Sequence, residues 1–190
     1  MINENPAITL RSTIYLLFKF MVIVPFITVG WWFLLPYYSH VLLQLAGSVL
    51  LFVLRVPVES GSVLIEGILN TNSKLAFSIN GKPLFMDLAL ITTNLAPYVA
   101  LILATGRIPF QKRLRILGAG SAIIVVTHVL CCTLFFYLIY SHIDDAAYLE
   151  AGSPPFYITL TQFMLTLPFL LWIVFAYWPQ LTRIGSGTES

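Results

Sequence analysis

Charge is what this chain has least of. Of its 190 residues, 9% are Asp, Glu, Lys or Arg and 58% are apolar, with a mean hydropathy of +0.89. A water-soluble domain carries roughly a quarter charged residues, so this composition excludes an ordinary soluble fold. The net charge of +2 is small, and no basic cluster is interleaved with aromatics. Nucleic acid is thereby excluded as a partner. Cysteine is equally scarce: Cys131 and Cys132 are adjacent in an apolar run, without CxxC or any other metal-ligand spacing. Vicinal cysteines rarely pair, so both read as small buried residues with no redox or metal role. The N-terminus lacks the basic region and small-residue cleavage site of a signal peptide, and the first apolar segment is expected to be retained.

What the chain does have is long apolar runs. Runs of about 20 apolar residues match the thickness of a bilayer core. They predict spans at about 13–35, 84–105, 116–140 and 155–178, with Trp31, Trp32, Tyr37 and Tyr38 as interfacial anchors closing the first. A shorter stretch, 40–56, places His40, Gln44, Ser48 and Arg55 on one stripe, which predicts an amphipathic helix, interfacial or re-entrant. Two alternating runs within 62–79, flanking "NTNS", predict a small extracytoplasmic β-hairpin. The expected fold is therefore a single all-α membrane domain over 1–190: four transmembrane helices, one amphipathic helix and one hairpin.

Loop charges orient this scheme. "GRIPFQKRLR" holds Arg107, Lys112, Arg113 and Arg115 without an acid, whereas "HIDDAAYLEAGS" holds Asp144, Asp145 and Glu150 without a base. The positive-inside rule puts the first loop in the cytoplasm and the second outside. Four spans then leave both termini cytoplasmic, consistent with Arg11, Lys19 and Arg183. For a bacterial chain the membrane would be the inner one.

Polar residues inside the spans are the candidates for function. "DLALITTNLAPYVA" carries Asp87, Thr92, Thr93 and Asn94 at the mouth of the second span, and Pro97 frees the carbonyl of Thr93. In the third span Ser121, His128 and Cys132 share one face, with His128 near mid-membrane. In the fourth, Thr159, Gln162 and Thr166 share another. Together these stripes predict a polar bundle interior containing Asp87, Thr92, Thr93, Asn94, His128, Thr159 and Gln162. Its plainest role is to glue helices together. A Cys132–His128 catalytic pair is disfavoured, because an apolar setting opposes the thiolate it needs. No metal site is expected, since nothing beside His128 supplies further ligands.

The order of these parts resembles the core of the exosortase/archaeosortase family, particularly its short forms such as exosortase type H and its associated membrane proteins. The likeness lies in the amphipathic segment, the β-like excursion, the polar span mouth, the basic loop and "ILGAGSAIIVVTHVLCCTLFFYLI". It covers about residues 37–178. The family's members are polytopic transpeptidases acting on C-terminal sorting signals of exported proteins. The resemblance implies a nucleophilic Cys near Thr92, Thr93 and Asn94, an Arg near Thr127 and His128, and a His within "PPFYITLTQ". All three residue types are missing there, as is the small glycine expected after the Cys.

The leading expectation is thus a non-catalytic exosortase-like partner or subunit. It would contact membrane lipid and other membrane proteins: a catalytic paralogue, a sorting substrate or complex subunits. A second reading is an enzyme with Thr92 or Thr93 as replacement nucleophile and His128 as base. A third is a small accessory subunit of a respiratory or photosynthetic assembly. His128 lacks a second His at i+7 and the chain lacks CxxCH, so no cofactor is expected.

Overall fold

The computed structural model describes residues 10–66, 72–106, 108–143 and 155–177. Arg107, the acidic segment with Asp144, Asp145 and Glu150, residues 67–71 within the expected hairpin, and Arg183 lie outside the described residues.

The chain opens with one long helix, α1 (Leu10–Ser48), which continues as a π-helical turn, Val49–Val53. An antiparallel sheet follows: β1 (Val58–Glu66), β2 (Asn72–Ile79) and β3 (Lys82–Asp87), in spatial order β1-β2-β3. Then come α2 (Ala89–Thr92), α3 (Leu95–Ala104), α4 (Phe110–Ser141) and α5 (Pro155–Trp172), the last running into a π-helical turn, Ile173–Tyr177. Among the described residues three helices are long and apolar enough to cross a membrane: Ile14–Val53, Phe110–Ser141 and Ile158–Ala176. The chain is a mostly helical membrane protein carrying a small sheet.

Three expectations need correction. First, 40–56 is not a separate amphipathic helix, because α1 passes through Pro36 without stopping. Its buried stripe keeps register across that proline: Trp31, Leu35, Ser39, Leu42, Ala46 and Leu50, at steps of three and four. Prolines are tolerated in apolar helices when neighbouring helices and side chains compensate for the missing N–H. His40, Gln44 and Ser48 do share the exposed face opposite that stripe. No residue of 14–30 is buried, and of this stretch Ile27 packs against the cluster of Trp31, Leu35 and Ala96.

Second, 84–105 is not a continuous span. Its start belongs to β3, and the rest is the four-residue α2 and the ten-residue α3. At 1.5 Å per residue α3 alone covers about 15 Å, half of a bilayer core.

Third, the hairpin is part of a three-stranded sheet, which an all-α description omits. The third strand is reached through Asn80 and Gly81, with φ of 53° and 72°. This two-residue turn with both φ positive is the hairpin type that asparagine and glycine favour. Glu59 on β1 fastens the turn, its carboxylate accepting from the Gly81 N–H at 3.0 Å and the Ser78 hydroxyl at 2.9 Å.

The sheet caps one end of the bundle. Leu75, Phe77 and Ile79 of β2 and Met86 of β3 point into the core, where Phe77 meets Phe136 of α4 edge-on at 4.8 Å. At Gly61 a Cβ would stand 2.9 Å from the Phe77 ring and 3.0 Å from Leu43, so α1 and β1 approach through glycine. The Lys82 ammonium donates to the Ile143 carbonyl at 3.0 Å, tying β3 to the end of α4. At the opposite end α3 turns into α4. There Arg113 Nη2 donates to the Thr105 carbonyl at 2.9 Å and the Trp172 indole donates to the Thr105 hydroxyl at 2.8 Å.

Candidate functional site

The polar centre of the molecule is built around a break in a helix. Between α2 and α3 the chain turns at Thr93 and Asn94. Asn94 stands at the N-cap position of α3, where asparagine ordinarily turns its side chain onto a backbone N–H. Here the side chain makes no cap bond. Pro97 suits this first turn, where an N–H has no helical acceptor. The freed Asn94 carboxamide, itself buried, reaches across to two other helices.

On the α5 side, Asn94 Nδ2 donates to the Met164 carbonyl at 3.1 Å and lies 3.6 Å from the Met164 sulfur. The sequence explains why that carbonyl is open. Four residues on is Pro168, inside α5, which has no N–H to return to Met164. A carbonyl left without a donor in an apolar interior is costly, and the asparagine supplies one.

On the α4 side, Asn94 Oδ1 lies 2.9 Å from His128 Nε2, and His128 Nδ1 lies 2.6 Å from the Tyr38 hydroxyl of α1. The directions follow from the far end. Met164 offers only an acceptor, so the Asn94 amide nitrogen faces it and the amide oxygen faces His128. That oxygen needs a donor, which places the imidazole proton on Nε2 and leaves Nδ1 to accept from Tyr38 O–H. The chain of bonds is Tyr38 to His128 to Asn94 to Met164, each donating to the next. It links α1, α4, the break before α3, and α5. His128 is fully buried, and Tyr38 packs edge-on against it and against Trp31, with ring centroids 5.8 Å and 5.0 Å away.

Of the seven residues expected in one polar interior, the structure joins Asn94 and His128 directly. Thr92 is buried, and its hydroxyl donates to the Leu88 carbonyl of its own turn at 2.8 Å. Thr93 is half-buried at the break. Asp87 lies apart, at the end of β3 opposite Lys74. Thr159 and Gln162 are exposed on the outer face of α5, and so is Thr166. The expectation that these three face Thr93 and His128 is therefore corrected. Leu160, Thr161, Met164, Leu167 and Leu171 are among the buried residues of α5, which contributes the Met164 backbone carbonyl to the network.

Two members of the network were not foreseen. Tyr38 passes for an interfacial anchor in the sequence, although its half-buried ring packs against the core. Met164 has no polar signature, and Pro168 was the mark that its carbonyl would seek a partner.

Chemically the arrangement is a closed set of neutral hydrogen bonds. Both His128 nitrogens are engaged, so neither is open to a metal, a haem iron or a substrate proton while the network holds. Among the described residues no three His, Cys, Asp or Glu side chains gather as a metal site. Cys131 and Cys132 are both buried free thiols. Compared with protein-family models, with curated proteins and with solved structures, the chain matches none.

Proposed function

We propose that this protein is a non-catalytic, exosortase-like subunit of a membrane complex that sorts or exports envelope proteins. It would reside in a bacterial inner membrane with both termini cytoplasmic and the sheet outside. The observation that supports this most is the fate of the span mouth. Where the resembled family would carry its nucleophile, Asn94 is committed to Met164 and His128, and His128 is committed at both nitrogens. These residues hold four segments together in place of presenting a reactive group to a substrate.

The sheet provides the surface a partner would need. β1 is an edge strand, with Leu64 and Ile65 exposed, so an extended segment of an exported protein can add to it by strand pairing. Lys112 and Arg115, exposed at the other end, suit the cytoplasmic headgroup layer.

The test is isolation of the tagged full chain from its native membrane in mild detergent, with mass spectrometry of what accompanies it. A second membrane protein or an exported protein in fixed ratio is the expected result. A species containing this chain alone would overturn the proposal. In the same cells, Thr92→Ala and Thr93→Ala together should leave processing of exported proteins unchanged; loss of processing would favour the replacement-nucleophile reading.

A further inference from the structure

The outer face of α5 presents a carboxamide where lipid is expected. Taking Met164 as the centre of the buried face, 100° per residue puts Gln162 and Thr166 about 160° away on either side and Thr159 about 140° away. These residues are exposed, while Leu160, Met164, Leu167 and Leu171 are buried. Gln162 is two residues from Met164, whose carbonyl receives Asn94 in the middle of the bundle, so its depth is that of the hydrocarbon interior. An amide facing acyl chains has nothing to bond with, and polar side chains in spans are used across helix interfaces. Thr166 and Thr159 sit one turn to either side. Thr166 Oγ donates to its own Phe163 carbonyl at 2.9 Å, which leaves its oxygen able to accept.

We infer that this face of α5 is a homodimer interface, in which Gln162 of one copy hydrogen-bonds Gln162 of the other about a two-fold axis normal to the membrane. Such an axis brings each residue to its own duplicate at equal depth. Self-pairing therefore demands groups that are both donor and acceptor. A carboxamide is one and a threonine hydroxyl is another, whereas a carboxylate or ammonium would repel its copy. The ridge of Thr159, Gln162 and Thr166 carries only such self-complementary groups, flanked by Phe169 and Ile173 for apolar packing. This is what selects a second copy over an unrelated helix. The inference does not depend on the proposed function: a homodimer without other partners would sink that proposal and leave this one standing.

The test is disulfide trapping in native membranes, using a full-length chain with Cys131 and Cys132 replaced by Ala and a single cysteine introduced on α5. Gln162→Cys and Thr166→Cys should give dimer bands of this chain. Thr161→Cys, about 100° round the helix on the buried face at nearly the same depth, should not. In parallel, Gln162→Leu in the otherwise unaltered chain should weaken self-association about tenfold, read by energy transfer between labelled copies in bicelles. Because Gln162 is exposed on the outer face of α5, that variant should keep the wild-type circular dichroism. Equal trapping at 162 and 161, undiminished association of the leucine variant, or trapping of a different protein at 162 would each overturn the inference.

Discussion

The bond from Asn94 to Met164 exists because Pro168 withholds its own, and that dependence can be measured. Asn94→Ala leaves two buried groups without partners, the Met164 carbonyl and the His128 Nε2–H. Each such orphan costs about 1–3 kcal/mol in an apolar interior. Losses measured in membrane proteins lie lower, near 0.6–1.7 kcal/mol per bond. A total of about 3 kcal/mol is expected for the single substitution. Pro168→Ala restores an N–H aimed at Met164 O, so in that background the asparagine serves one orphan in place of two. The penalty of Asn94→Ala should then fall by about 1–1.5 kcal/mol. The four proteins of this cycle can be compared by denaturant unfolding in detergent micelles, with ellipticity as the signal. Additivity of the two substitutions within about 0.5 kcal/mol would refute the argument, since residues without a shared partner add to that accuracy.

Other sites yield sharper, smaller tests. At Gly120 an added Cβ would run into the Tyr98 ring and hydroxyl, which is bonded to the Ile116 carbonyl at 2.6 Å. Gly120→Ala should therefore lower stability by about 3 kcal/mol and separate α3 from α4, seen as a lowered Tm. Arg55, which follows the π-helical turn, has φ of 55°, a left-handed conformation that glycine adopts freely. Arg55→Gly should stabilise by about 1 kcal/mol; a destabilised variant would mean the arginine side chain itself is needed. Gly81→Ala, at φ of 72°, should cost about 1 kcal/mol and loosen the turn between β2 and β3, reported by faster amide exchange there. Cys131 and Cys132, both buried, should resist maleimide until the protein unfolds, and labelling at the native rate of a free thiol would contradict their placement.

The long helices were legible because hydropathy over 20 residues reports them almost regardless of detail. α4 and α5 fall close to the expected 116–140 and 155–178. What faces inward was much less legible, and the reason is the solvent. In water an inner face differs from an outer one by polarity, whereas in lipid both are apolar. Gln162 and Thr159 were accordingly assigned to the interior, when the buried face had been filled by leucines, Met164 and the neighbouring Thr161. Local signals were present and outweighed elsewhere. Asn80–Gly81 marked a hairpin turn, but the apolar "LFM" after it belonged just as well to a span, and β3 was absorbed into one. Asp87 moved with it, from a span mouth to a strand end beside Lys74. At Pro36 the opposite happened, since a residue that breaks helices in water left α1 intact within an apolar bundle.

The sparse packing of the first part of α1 makes the long helix a lever on the bundle. From Ile27, which packs against the cluster of Trp31, Leu35 and Ala96, to Val53 it rests on the bundle and joins β1 after a short turn; the stretch from Ile14 to Phe26, about 20 Å long, carries no buried residue. Its two prolines then have different mechanical parts. Pro36 lies in the clamped section, between the buried Leu35 and Ser39, so any bend there is fixed by packing. Pro25 lies in the arm, exposed and two residues before Ile27, where the packing against the bundle begins. A partner or bilayer that seizes the arm beyond Pro25 meets a compliant joint and leaves the sheet undisturbed. A grip between Pro25 and Trp31 would turn the clamped helix, and with it the sheet at the far end.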